Sequence, residues 1–107
     1  DERVRRYFSE CGFTVQRVTG LKATSPVNIA EQSIETMTRA VYEMDGDDID
    51  TIIQVGTNLA MARLAGELEQ ALGKPVIAIN TALYWHALRQ NGITDSIAGF
   101  GRLLKEL

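Results

Sequence analysis

Cysteine and histidine each occur once, as Cys11 and His86. That scarcity removes several chemistries at the outset. A single cysteine closes no internal disulfide, and one cysteine with one histidine offers no zinc-ligand spacing. Positive charge is not in excess. Eleven Lys and Arg face 14 Asp and Glu, a net charge of −3, which argues against a nucleic-acid partner gripped by a basic face. No apolar run approaches the ~20 residues of a membrane span. Asp1-Glu2-Arg3 opens in helix-like sequence with no secretory leader, and the expectation is a cytoplasmic protein. A Walker A sequence is missing, and Gly99-Phe100-Gly101 lacks both the preceding strand and the third glycine of a dinucleotide fingerprint.

What is present is an ordinary globular composition, 45% apolar and 23% charged over 107 residues. A chain this long buries about two-thirds of its unfolded surface, enough for one core. Asp1 can cap a helix whose Val4, Tyr7, Phe8 and Cys11 recur at i, i+3, i+4, i+7, with Gly12 at its end. A buried Cys11 there behaves as a small hydrophobe. Phe13 to Val18 alternates as a strand open on one face, and Gly20 to Asn28 is a loop. The next helix starts either at Ser25-Pro26 or at Asn28 with Glu31, and Ile34, Met37, Val41 and Met44 anchor it. Asp45, Asp47, Asp48 and Asp50 resemble a metal loop only by count, so a solvated turn is expected there and no metal site.

Ile49 to Val55 is the best central strand, and Leu64, Leu68 and Leu72 mark a helix that stops at Gly73 before Pro75. Pro75 to Ile79 is a second short strand. Asn80 or Thr81 then caps a helix carrying Leu83, Tyr84, Ala87 and Leu88, closed by Gly92. Arg102 to Leu107 can add a final helical turn. The order α-β-α-β-α-β-α predicts an α/β, three-layer fold with a short parallel sheet and flanking helices. Such folds usually begin with a strand, so a missing first strand and a truncated chain are expected.

Function points to the carboxyl ends of the strands, where open α/β sheets bind ligands. Gln54-Val55-Gly56-Thr57-Asn58-Leu59 reads as a buried strand breaking at Gly56 into a helix. The break can be a capped helix start, or a carboxylate cradle of backbone N–H groups, the Thr57 hydroxyl and the Asn58 amide. Asn80 and Thr81 occupy the equivalent place after the next strand, and Asn28 belongs to a third polar cluster. His86 lies within a helix among apolar residues and reads as structural or surface, and Trp85 as packing.

Gly56-Thr57-Asn58-Leu59, Leu68-Glu69-Gln70-Ala71-Leu72-Gly73-Lys74-Pro75-Val76, Asn80-Thr81-Ala82 with Trp85-His86-Ala87-Leu88-Arg89, and Gly99-Phe100-Gly101-Arg102-Leu103-Leu104 cover nearly the whole chain. In this order they resemble the carboxy-terminal lobe of the aspartate/glutamate racemase superfamily, in its maleate cis-trans isomerase and arylmalonate decarboxylase branch. Gly-Thr-Asn-Leu is most similar to the version in the ectoine-utilisation racemase-like proteins. The resemblance implies one lobe, residues 1–107, of a pseudo-symmetric two-lobed enzyme with its site between the lobes. It implies no metal or organic cofactor. The partners implied are a small carboxylic or dicarboxylic acid and the amino-terminal lobe of the same protein, with a homo-oligomer open and no nucleic acid or membrane. Each lobe of the family usually offers a cysteine just after a strand. Here Gly56 stands at that position and Cys11 is misplaced to replace it, so this lobe alone is expected to be inactive. The substrate's carboxylates would lie against Gly56, Thr57, Asn58, Asn80, Thr81 and Asn28. The complete protein is then an isomerase, racemase or decarboxylase. A non-catalytic carboxylate-binding module of the same fold is the alternative.

Overall fold

The apolar runs around Ile52 and Val76 meet as the sheet on which the other elements rest. The computed structural model describes residues 2–20, 32–56 and 59–107. Among these the order is α1 (Glu2–Glu10), α2 (Ile34–Met44), β1 (Ile52–Gln54), α3 (Ala62–Leu72), β2 (Val76–Ala78), α4 (Ile79–Gln90) and α5 (Arg102–Glu106). β1 and β2 pair in parallel, with Ile52 opposite Val76 and Gln54 opposite Ala78. Parallel neighbours need a crossover, which α3 supplies. The fold is therefore α/β, a short two-stranded parallel sheet with flanking helices.

The core forms where α2 and α3 turn their apolar faces to the sheet. Met37 and Val41 meet Leu64, Ala65 and Leu68 over Ile52, Val76 and Ala78, all buried. Each large aliphatic side chain so buried contributes about 1.5–3 kcal/mol. Ile34, expected as an anchor of α2, is 68% exposed because it occupies the first helical position beyond the core. Ser33 caps that helix, its Oγ accepting from the Thr36 N–H at 3.1 Å. The starts expected at Ser25 or Asn28 lie outside the described residues. α3 ends at Gly73 in the left-handed conformation, as the glycine before Pro75 suggested.

Glu69 is the one buried carboxylate among the described residues, only 7% exposed. It accepts from the Val76 N–H at 3.3 Å and from the Arg102 N–H at 3.0 Å, and Arg102 Nε lies 3.5 Å away. One side chain of α3 thus joins β2 and α5, whose Leu104 is buried. Gly99-Phe100-Gly101, no nucleotide loop, is the strap that makes this approach. A Cβ on Gly66 would meet its backbone at 2.9 Å, and one on Gly101 would meet Glu69 Oε2 at 2.8 Å.

Lys74 performs a similar service for the turn between α2 and β1. Its Nζ donates to the Asp45 carboxylate, to the Gly46 carbonyl at 3.1 Å and to the Ile49 carbonyl at 2.9 Å. The hydrogen bond from Lys74 holds the Asp45 carboxyl below its ordinary value of 3.8, outweighing partial burial. Asp47, Asp48 and Asp50 remain exposed, as a solvated turn requires, with Asp48 3.0 Å from Arg17. Ile49 turns back to bond Gly46, so β1 is shorter than the expected Ile49 to Val55.

Further expectations fail. Phe13 to Val18 forms no strand, because among the described residues no strand pairs with it, and a cavity lies between it and β1. α1 ends at Gly12 as expected, with Phe13 N–H bonded to Phe8 O at 3.0 Å and Gly12 N–H to Ser9 O at 3.1 Å, a Schellman motif. Yet α1 buries none of its residues, leaving Tyr7 63% exposed and Cys11 exposed instead of packed. α4 likewise turns inward a different face. Leu83 and Tyr84 are exposed, whereas Thr81 is buried and Trp85 and Leu88 are half-buried at i+4 and i+7. The helix begins in the residue after β2, and that junction sets its phase. Among the described residues no helix is long and apolar enough to cross a membrane.

Replacing Glu69 with alanine strands two backbone donors and is expected to cost about 2–4 kcal/mol in urea unfolding, with Glu69→Gln costing less. Asp45 is a carboxyl with a lowered folded-state value. Its contribution is present above the unfolded value near 4 and is lost as pH falls through the lower folded one. Asp45→Asn should therefore flatten the acid limb of stability against pH below about 4, measured by urea midpoints.

Candidate carboxylate site

Because β1 and β2 run the same way, the chain leaves both at one edge of the sheet. Gly56, two residues past β1, is exposed and has φ of +108°. A Cβ there would meet only Gln54 Nε2, at 3.9 Å. Glycine is required by the backbone conformation, then, and not by crowding. Any L residue at this φ, a cysteine included, would be strained.

Gln54 fastens this edge together, a role that was not foreseen. Its Nε2 donates to the Gly56 carbonyl at 2.7 Å, and its Oε1 accepts from the Ile79 N–H at 3.3 Å. One amide side chain thus ties the loop after β1 to the first residue of α4. The available signal was a polar residue closing an otherwise apolar strand.

The expected direct break from strand into helix at Gly56 is not observed. Leu59 N–H reaches back to Gly56 O at 3.4 Å, residues 59–61 precede the helix, and α3 starts only at Ala62. Buried Leu59 and Met61 draw this stretch into the core before the helix can begin. The dipole of α3 acts within about its first turn, so it lends Gly56 little. Thr57, Asn58 and Asn28 lie outside the described residues.

Asn80 and Thr81 sit at the same edge as Gly56, but neither caps α4. Ala78 is the N-cap and makes no side-chain bond, which places Asn80 and Thr81 in the second and third helical positions. Thr81 is 4% exposed, and among the described residues its Oγ1 has no hydrogen-bond partner; Trp85 Nε1, one turn on, is buried and unpartnered among them as well. Most buried hydroxyls find a partner, so an orphan at a strand's carboxyl end stands out. His86 is exposed on α4, and Cys11 is exposed at the end of α1, so neither belongs to this edge's buried groups. Among the described residues no group of three or more His, Cys, Asp and Glu is placed to hold a metal ion.

The family model described as arylmalonate decarboxylase matches residues 1–104. The chain belongs to that family. No curated protein and no solved structure gives a significant match. In this arylmalonate decarboxylase family member, the structure brings Gly56, Asn80 and Thr81 to one edge and adds Gln54 as the brace between them. The racemase/decarboxylase branch indicated by the motifs is thereby supported.

Two measurements probe this geometry without ligand. Thr81→Val removes an unmatched buried hydroxyl and should raise stability by about 1 kcal/mol. Gly56→Ala forces a Cβ into the left-handed region and should lower it by about 1–2 kcal/mol, both read from urea midpoints.

Proposed function

We propose that this chain is the carboxy-terminal lobe of a cofactor-independent enzyme, an isomerase, racemase or decarboxylase acting on a small carboxylic or dicarboxylic acid. The family match over residues 1–104 carries the reading of reaction class. In this reading the lobe binds and orients. Gly56, Thr57 and Asn58 take one carboxylate, and Asn80 and Thr81 form the pocket floor, with Asn28 close by.

The Thr81 hydroxyl supports the last assignment. A buried O–H with no internal partner is an unused donor, and a substrate carboxylate is the acceptor it lacks. The reaction needs a proton donor or a thiolate on at least one face of the reacting carbon. Gly56 supplies neither, and its positive φ leaves that position to glycine. The thiol therefore comes from the amino-terminal lobe of the same protein. The likeness of Gly-Thr-Asn-Leu to the version in ectoine-utilisation racemase-like proteins supports a racemase-like reading, and a cytoplasmic setting fits such chemistry.

The same glycine favours a second reading, in which the fold has kept carboxylate binding and lost the reaction. Mutation of the partner lobe's strand-end cysteine to alanine distinguishes the two. Loss of turnover of a small malonate-type acid is the expected result, and unchanged turnover would refute the thiol mechanism. For the cradle, calorimetric titration with malonate should show Thr57→Val and Thr81→Val each weakening binding by about 1–3 kcal/mol. Affinity equal to that of the unmodified protein would sink these assignments.

A further inference from the structure

Two polar atoms on the inner face of α4 are sealed from solvent with nothing bonded to them among the described residues. One is Oγ1 of Thr81, a residue 4% exposed, and the other is Nε1 of the half-buried Trp85. A phenylalanine at position 85 would pack with nearly the same bulk and bury no donor. An unmet buried donor is costly, so two polar orphans on successive turns of one helix call for a common explanation.

Their spacing supplies it. Residues i and i+4 share a helix face, with Cβ atoms about 5–6 Å apart. Long side chains on a helix lean toward its amino terminus, which favours a Trp85 ring turned toward Thr81. At α4 that direction is also toward the carboxyl edge of the sheet, because the helix opens in the residue after β2. Gly56 and the Gln54 amide lie at the same edge. The indole and the hydroxyl are thereby set to meet one bound group.

The chemistry they offer is one-sided. An indole N–H only donates, and the Thr81 hydroxyl is free to donate as well. Both sit at the start of a 12-residue helix whose positive dipole end favours an anion. Ala78, its N-cap, brings no side-chain oxygen to offset that charge, and residues 79–90 contain no Asp or Glu. A carboxylate has two oxygens and about four lone-pair sites, enough to take both donors at once. A water molecule can bridge the same two groups, but it gains nothing from the helix end. An ammonium group finds no carboxylate on α4 to pair with.

We propose that Trp85 is a substrate-binding residue whose Nε1 donates to the same carboxylate that the Thr81 hydroxyl holds. This rests on the carboxylate reading given under the proposed function and deepens it. The pocket floor becomes a two-donor clamp at a helix end, selective for an ionised acid over the corresponding amide.

The test follows the Trp85 indole proton by NMR in the intact protein carrying isotope-labelled tryptophan, the signal being assigned by its loss in Trp85→Phe. Malonate is titrated in, with malonamide as the uncharged probe of similar shape, and calorimetry measures binding in parallel. The indole proton is expected to move downfield and saturate over the concentrations at which calorimetry registers malonate, and to stay in place with malonamide. Trp85→Phe keeps the aromatic bulk and should weaken malonate about tenfold without lowering the urea midpoint, since Nε1 bonds nothing in the described chain. Thr81→Ser retains the hydroxyl and should bind within about twofold of the unmodified protein, unlike Thr81→Val.

Malonate that binds by calorimetry while the indole proton stays still overturns the proposal and leaves the carboxylate reading standing. Unchanged affinity in Trp85→Phe, or an equal shift with malonamide, overturns it in the same way. An indole proton that contacts a bound water both before and after malonate assigns the pair to an internal water and rejects the clamp. No malonate binding at all removes the carboxylate reading and this inference together.

Discussion

Three backbone elements meet at the carboxylate of Glu69, and much of the architecture is arranged so that they can. α3 brings the side chain inward, β2 offers the Val76 N–H, and the start of α5 offers the Arg102 N–H. A carboxylate taken out of water is costly unless several donors replace the lost hydration. Here two backbone donors and the Arg102 side chain do so, and they come from segments distant in sequence. The demand propagates outward. Gly66 must be bare for the 99–101 strap to lie close, and Gly101 must be bare beneath the carboxylate. Leu104 then follows into the core.

The candidate site obeys a different logic, in which local rules are broken instead of satisfied. Gly56 holds a left-handed backbone outside any helix end, and Thr81 hides a hydroxyl that nothing inside the described chain receives. Departures of this kind concentrate where a protein binds something, because the compensating contacts come from the ligand. Gln54 is the exception that makes the arrangement coherent. By spending both ends of its amide on the two strand exits, it fixes their separation before any ligand arrives. Preformed geometry of that sort lowers the ordering cost of binding.

How much of this was legible in the sequence follows from the range over which each determinant acts. The helix stops at Gly12, Gly73 and Gly92 are local, since a left-handed residue needs only its own missing Cβ, and all three are found. The strands around Ile52 and Val76 were legible because β-branched runs between turn residues leave few other options. The failures are non-local. Alternation in Phe13 to Val18 has no consequence without a neighbouring strand, and the stripe of α1 has no consequence without a floor. Which face of α4 turns inward was hidden because the phase is set by a junction and not by its apolar residues. Gly56 was placed at the right edge, but the distance from there to α3 depends on Leu59 and Met61 sinking into the core. The role of Glu69 was invisible, because an acid in a helix, like its neighbour Glu67, carries no mark of the donors that will surround it.

The junction between β2 and α4 contains no loop residue at all, since Ala78 closes the strand and Ile79 opens the helix. Length variation is thereby forbidden at that point. One inserted or deleted residue would swing the helix by about 100° around its axis. Thr81 and Trp85 would leave the interior together, and Leu83 and Tyr84 would rotate with them. A chain that keeps this edge can thus exchange side chains on α4 but cannot gain or lose a residue between Ala78 and Thr81. Insertions are left to the far end of the helix, beyond Gly92.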